Sequence, residues 1–283
     1  MSSHGRRRRK VWRRRCPLSF EGPVVSTLRR AYNAWHERYD VDRDSDAPWH
    51  RLVKRHIDEA RDIVGKQVLE IASGRGGFAC WLADRSPGPA RLVAADFART
   101  AVTKGRRFAR ERGIEVLRWE VADIQAINHP DATFHTVFCC ETIEHVADPL
   151  RALREVARVL RPGGRLYLTA PNYFGPMGLY RVYLRATGRR FTEEGQPLNH
   201  ALVLPRTVSW VRRVGLRVTV IDGTGHYLPF PGRPPVEITA LRRLRWLTRW
   251  VGLHSVVVAT TSVSGRGARL RSAPPGSAPG STG

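Results

Sequence analysis

Lysine is nearly missing from this sequence. Only Lys10, Lys54, Lys66 and Lys104 stand among 48 basic residues, an arginine preference of the kind that a GC-rich genome's codon usage produces. Acids are scarce too, 25 in all, which leaves a formal net charge of +23. That is enough to attract nucleic acid or an anionic membrane without sequence specificity. Part of the excess is local: GRRRRKVWRRR concentrates charge between Arg6 and Arg15 and reads as a solvated arm. The four cysteines, Cys16, Cys80, Cys139 and Cys140, form no C-x-x-C pair. This argues against a dithiol or zinc-knuckle motif and suits reduced thiols in a cytoplasmic protein. No uncharged apolar run reaches the roughly 18 residues of a membrane span, and no apolar stretch follows the basic N-terminus as a secretory leader requires. From Ser264 the chain is rich in Ser, Pro and Gly and reads as a flexible tail.

Between these ends, short apolar runs alternate with helical periods, the pattern of a parallel sheet covered on both faces. Strands are expected near 67–71, 90–95, 115–119, 134–139 and 164–169, and helices over 76–85, 98–112 and 149–160. The last helix has Asp148 as N-cap and Pro149 at its first position. It runs into RPGG, where Gly163 or Gly164 can take the left-handed conformation that closes a helix. Residues 172–200 hold five aromatics and four glycines, too long and too apolar for a plain connection. A helix in PRTVSWVRRVG, a strand in LRVTVID, a Pro/Gly-rich loop over 223–235, a helix over 236–251 and a strand in LHSVVVATT complete the pattern, with the last two strands as an antiparallel edge pair. No internal repeat is present.

The stretch VLEIASGRGGFACWLA, residues 68–83, asks which nucleotide it serves. Gly74, Gly76 and Ala79 satisfy the G-x-G-x-x-A dinucleotide fingerprint, in which backbone amides and a helix N-terminus hold a pyrophosphate. With Glu70 four residues before Gly74, the stretch fits equally the D/E-x-G-x-G-x-G pattern of enzymes that bind S-adenosylmethionine. Alone it leaves both open.

Four further segments join it in order: LVAADFA, VADIQAI, FHTVFCCETIEHVADP and RVLRPGGRLYLTAPN. Together the five resemble the class I S-adenosylmethionine-dependent methyltransferases, of the type 11 and ubiquinone-pathway O-methyltransferase kind, over about residues 64–262. The resemblance implies an α/β fold: a Rossmann-like, seven-stranded, mostly parallel sheet with an antiparallel last strand, helices on both faces and an N-terminal helical cap. The domains expected are a basic arm 1–19, a cap 20–64 bearing Tyr32, Trp35, Tyr39 and Trp49, a catalytic domain 65–263 with a substrate insertion 172–200, and a tail 264–283.

The resemblance also implies a cofactor site. Glu70 faces the methionine ammonium, and the backbone from Ala72 through Gly74 to Gly76 follows the carboxypropyl arm. Asp96 accepts from both ribose hydroxyls, Phe97 lies against the adenine, Asp123 takes the adenine amino group, and the Ile124 amide meets the ring. Cys140 belongs to the same cofactor-binding set. The family usually has glycine where this chain has Ala72, which would set the loop slightly further from the ligand. His135 replaces the usual Asp after Phe134 and bears only on the start of the fourth strand.

Methyl transfer needs an aligned acceptor and somewhere for its proton to go. His145 in ETIEHV is the candidate general base, oriented by Glu144 or Glu141; a neutral structural histidine at a strand–helix junction is the plain alternative. E-x-x-E-H also resembles the motif of ubiquinone-pathway and small-RNA 2′-O-methyltransferases. On that reading Glu141, Glu144, His145 and His200 would hold a divalent cation such as Mg²⁺ or Mn²⁺. The preferred expectation is the metal-independent base. Tyr173, Phe174, Met177, Tyr180, Tyr183, His226, Tyr227 and Phe230, with the arm over 24–49, are expected to meet a small hydroxylated acceptor. RNA 2′-O-methylation, N-methylation and a non-catalytic dinucleotide-binding module are the alternatives.

Overall fold

The structure, a computed structural model, describes residues 23–39, 44–189, 195–230 and 233–263. The expected arm and tail lie outside the described residues. Three helices come first, α1 (Pro23–Arg38), α2 (Pro48–Lys54) and α3 (Glu59–Asp62). The alternating part follows as β1 (Gln67–Ile71), α4 (Gly77–Ala83), β2 (Arg91–Asp96), α5 (Arg99–Glu111), β3 (Leu117–Val121), β4 (Phe134–Cys139), a 3-10 turn (Ile143–His145), α6 (Pro149–Val159) and β5 (Leu160–Pro171). The chain continues through α7 (Pro176–Ala186), α8 (Leu204–Arg213), β6 (Arg217–Thr224), β7 (Tyr227–Phe230), β8 (Arg233–Glu237), a 3-10 segment (Thr239–Leu244), α9 (Arg245–Thr248) and β9 (His254–Thr260).

Seven strands form one sheet in the order β3-β2-β1-β4-β5-β9-β6, with β9 antiparallel to both of its neighbours. The expected pairing of the last two strands therefore exists, but only β6 is at the edge; β9 is inserted beside β5. The pleat sorts side chains by parity. One registered row reads Val93, Leu69, Val137, Leu166 and Ala259, and belongs to the core covered by α6 and α8. The next row reads Ala94, Glu70, Phe138, Tyr167 and Val258, and its apolar members face the opposite core with Leu52 of α2 and Phe78 of α4. Strands buried on both faces are nearly continuous in apolar residues, as here. Each fully buried Leu, Val or Phe contributes about 1.5–3 kcal/mol relative to exposure. Glu70 stands in such a row near the carboxyl end of β1, so its carboxylate is delivered to the place where the chain, having run outward to β3, returns to β4 on the other side.

Asp148 caps α6 as expected, its carboxylate accepting from the Arg151 amide, with Pro149 in the first turn. The RPGG segment behaves differently. The helix passes directly into β5, and the register jumps from Phe134 opposite Leu160 to Thr136 opposite Arg165. Gly163 takes φ +77, and a Cβ on Gly164 would stand 2.8 Å from the Arg161 carbonyl oxygen. The glycines serve a bend inside a strand, not a helix cap. Two later expectations are also corrected. The loop over 223–235 is largely strand, with β7 and β8 paired antiparallel, and no helix spans 236–251. Residues up to Glu237 are committed to the hairpin, and only a 3-10 segment and one turn of α-helix remain before Gly252. The third strand starts two residues later than expected, leaving Val116 exposed.

Candidate active site

A cavity of about 400 Å³ opens at the carboxyl ends of β1, β2 and β4. Its floor is Glu70, Ala72, Ser73, Gly74 and Asp96, and one wall is Cys140, Glu141, Thr142, Glu144 and His145. The roof comes from the cap: Tyr32, Trp35 and His36 of α1, with Trp49 and His50 of α2. Pro171, Tyr173, Gln196, Leu253 and His254 close the far side.

The glycine loop is a run of left-handed residues, with φ of +58 at Ala72, +53 at Gly74 and +75 at Gly76. Ala72 adopts the conformation that glycine reaches freely, at about 1 kcal/mol of steric cost. Asp96 ties the loop down: its carboxylate accepts from the Gly74 amide at 2.9 Å and from the Ala98 amide at 2.8 Å. Burial, partly offset by these amides, pushes the Asp96 carboxyl up to about 6. Gly76 does not line the cavity. Its glycine is required from behind, because a Cβ there would collide with the Trp119 indole, as would one on Gly105.

The roof is fastened at both ends of the site. Arg75, from the glycine loop, donates to the His36 carbonyl at 2.7 Å and to the Tyr39 carbonyl, and Lys104 donates to the His36 carbonyl at 3.0 Å. Cations at the carboxyl end of α1 also complement its dipole. Across the cavity, the Tyr32 hydroxyl donates to the His145 carbonyl at 3.1 Å. Burial, reinforced by Arg75 and Lys104, lowers the His36 imidazole to about 4. His50, stacked on Phe78 with centroids 4.9 Å apart, is likewise lowered to about 4 by burial. Both roof imidazoles are neutral near pH 7.

The ETIEHV segment makes a sharp turn. Glu141 has φ +45, and its amide donates to the Thr169 hydroxyl at 3.0 Å. His145 is held through Nδ1, 2.6 Å from the Leu198 carbonyl, with Nε2 3.6 Å from Glu144 Oε1. Glu144 is itself buried. His200 is exposed, with its amide donating to the Glu144 carbonyl at 2.8 Å and its Nε2 3.0 Å from the Val146 carbonyl. It is used to hook the insertion onto the turn. The quartet of Glu141, Glu144, His145 and His200 is therefore not assembled, and among the described residues no three His, Cys, Asp or Glu side chains are grouped to hold a metal. The donor set does not fit the divalent cation considered as the alternative.

Five of the nine expected cofactor residues, Glu70, Ala72, Gly74, Asp96 and Cys140, line the cavity. Phe97 instead lies under the Arg29 guanidinium, 4.7 Å from its ring centroid, and edge-on to Tyr32. Asp123 accepts from the Gln125 amide at 2.8 Å in a tight turn, and Ile124 packs in the core. Burial holds the Cys140 thiol well above its ordinary value, so it carries no thiolate. Of the eight acceptor candidates, Tyr173 alone lines the cavity. Tyr180 and Tyr183 stack on each other on α7, Met177 is buried, and the His226 ring faces the Thr248 carbonyl. Tyr227 and Phe230 belong to the hairpin strand β7. Of the three segments expected to meet the acceptor, the arm over 24–49 supplies most of the aromatic wall.

Two features escaped the sequence reading. His254, the first residue of β9, stands with Nδ1 3.8 Å from Glu141 Oε2 and its ring 5.4 Å from that of Trp49. Asn172, just after β5, donates to the Trp250 and Gly252 carbonyls and accepts from the Phe174 and Leu204 amides, joining three segments. Its place in TAPN was the only signal.

The family profile described as "Methyltransferase domain" matches residues 69–168, from β1 to within β5. Over those residues the chain carries a methyltransferase domain. A demethylmenaquinone methyltransferase of Thermus thermophilus is 40% identical over 144 residues, 50% of this chain and 63% of that protein. A ubiquinone biosynthesis O-methyltransferase of Pseudomonas aeruginosa is 28% identical over 178 residues, 60% of this chain and 75% of that protein. The chain thus spans less than two thirds of the length of the first of these curated relatives. The solved S-adenosylmethionine-dependent methyltransferase of Mesorhizobium loti shares the fold, with a TM-score of 0.53 at 17% identity over 76% of this chain and 98% of that one. The cavity has the features that the expected S-adenosylmethionine would need: a buried carboxylate on each of β1 and β2 borders a backbone turn with little side chain in the way.

Proposed function

We propose that this methyltransferase transfers a methyl group from S-adenosylmethionine to a small hydroxylated, partly apolar acceptor. The observation that carries the reading is the single cavity in which the Asp96-braced loop, Glu70 and the ETIEHV turn meet under an aromatic roof. Glu70 and Asp96 would hold the cofactor's ammonium and ribose ends, and Ala72 to Gly74 its carboxypropyl arm. When bound, the cofactor supplies an electrophilic methyl group on a sulfonium.

The chain's own part is to bind, orient and deprotonate. In the tautomer that donates from Nδ1 to the Leu198 carbonyl, His145 keeps a basic Nε2, and Glu144 Oε1 at 3.6 Å stabilises the imidazolium once the acceptor's proton arrives. The Tyr32 bond to the His145 carbonyl ties the roof to the segment that carries this group. Trp35, Trp49 and Tyr173 give the acceptor a flat apolar wall. A phenol or quinol fits these walls.

The relatives' names favour a second form of the same reading. The Thermus relative is named a demethylmenaquinone methyltransferase, and a Hydrogenovibrio crunogenus relative a ubiquinone/menaquinone biosynthesis C-methyltransferase. Removing a phenolic proton activates both the oxygen and the adjacent ring carbon, so one base serves either outcome. Calorimetry with S-adenosylhomocysteine against NAD(P) tests the cofactor: binding of the nucleotide pair and not of S-adenosylhomocysteine removes the reading. Product mass spectrometry and NMR on simple quinols then separate oxygen from carbon methylation.

A further inference from the structure

The exposed apolar side chains are not scattered. Of the large ones exposed among the described residues, all but Val116, Val121 and Val263 fall within residues 174–246. On α7, Leu179 is 74% and Val182 67% exposed, and on α9 Trp246 is 71% exposed. The hairpin adds Leu228, Phe230 and Val236. These elements are neighbours. α7 packs on β7, Gly175 abuts Val251 just after α9, and His226 faces the Thr248 carbonyl.

The charge around them is mostly of one sign. Residues 172–189 contain Arg181, Arg185 and Arg189, residues 239–253 contain Arg242, Arg243, Arg245 and Arg249, and neither stretch contains an Asp or Glu. Glu237 at the end of β8 is the acid of the hairpin. A groove of about 760 Å³ runs between Phe174, Leu179 and Val182, edged by Arg181 and Arg185. Tyr173 lines both this groove and the candidate active-site cavity. Exposed aliphatics with a tryptophan, set among arginines with Glu237 as the one acid of these stretches, are the composition of a face that lies in a membrane interface, whereas a second copy of this chain, with its net charge of +23, would set like charge against like.

We propose that α7, the β7–β8 hairpin and α9 form a docking surface for an anionic lipid bilayer. Leu179, Val182 and Trp246 enter the acyl boundary, the arginines meet the lipid phosphates, and the groove beside Tyr173 opens toward the membrane. The docking stands without the catalytic reading, because its test reads binding and not turnover.

The full chain is sedimented with phosphatidylcholine vesicles, with and without phosphatidylglycerol, at low and high salt. Binding is expected to phosphatidylglycerol vesicles, weakened but not abolished by salt. The triple variant Leu179→Ser, Val182→Ser, Trp246→Ser should lose at least about tenfold in partitioning, the scale of one fully buried apolar side chain. Its affinity for S-adenosylhomocysteine should be unchanged, showing that the fold is intact. A second variant, Arg185→Glu with Arg243→Glu, should lose the preference for phosphatidylglycerol. If the triple variant partitions like the parent, the arginines of the N-terminal arm explain the binding and the proposal fails. It fails equally if the parent binds no vesicles, or if the substitutions change only self-association in an ultracentrifuge.

Discussion

Asp96 is the group whose protonation should be visible in cofactor binding. Its carboxyl is moved from 3.8 to about 6 by burial. Between pH 4 and 6 the folded chain therefore retains a proton that the unfolded chain has released, so this group's contribution to stability falls as the pH rises through that window. About two pKa units correspond to roughly 3 kcal/mol of disfavoured charge in the ligand-free fold at neutral pH. Ligand hydroxyls donating to the carboxylate would offset this and draw the pKa back down. Binding below pH 6 must then expel a proton, and affinity should fall about tenfold per unit of pH. His36 and His50, both near 4, also line the cavity but stay neutral above pH 5. They pull global stability the other way, since each is protonated on unfolding as the pH drops, which makes ligand binding the cleaner readout.

The assay is calorimetry with S-adenosylhomocysteine from pH 7.5 to pH 5, repeated in buffers of different ionisation enthalpy to count protons. About one proton released per ligand is expected near pH 5, where Asp96 is about nine-tenths protonated, and almost none at pH 7.5. Asp96→Asn should bind weakly and without pH dependence. It retains an acceptor for only one of the two amides at Gly74 and Ala98, so a loss of about 1–3 kcal/mol in stability should accompany it. An affinity flat from pH 7.5 to 5 with no proton release would refute the contact between Asp96 and the ligand.

Gly76→Ala should destabilise the fold by about 2–4 kcal/mol, the sum of left-handed strain and overpacking against Trp119, and Trp119→Leu should restore part of it; urea unfolding that shows no loss contradicts this. His145→Ala should lower kcat about 10² to 10⁴-fold with S-adenosylhomocysteine affinity nearly unchanged. If His254→Ala has that effect instead, the base is the imidazole beside Glu141 and the role of His145 is structural. Activity should persist in EDTA, because His200 is turned to the Val146 carbonyl and the quartet does not converge; loss in EDTA with recovery in Mg²⁺ would restore the metal reading. Asn172→Ala leaves two amides and two carbonyls without their partner and should cost at least about 3 kcal/mol by thermal or chemical unfolding.

The legible parts of the sequence were those whose cause is local. Apolar runs of strand length marked β1, β2 and β4, Asp148 with Pro149 marked the start of α6, and the acid ending β2 stood where an open parallel sheet exposes its ligand edge. The left-handed turns at Gly74 and Gly76 use the residue that takes them at little cost, whereas the one at Ala72 was not foretold by its residue type. Tertiary structure decided which distant residues share the cavity. Tyr32 reaches the carbonyl of His145 across 113 positions, and His254 comes to the Glu141 wall only because β9 pairs beside β5, with Pro171 opposite His254. The metal role considered for His200 asked only for its residue type, and its distance to the Val146 carbonyl decided against it. The hairpin replaced an expected loop and part of a helix for the same reason. Pairing between β7 and β8, and the packing of α7 on β7, are contacts between separate segments, and such contacts leave no period within either one.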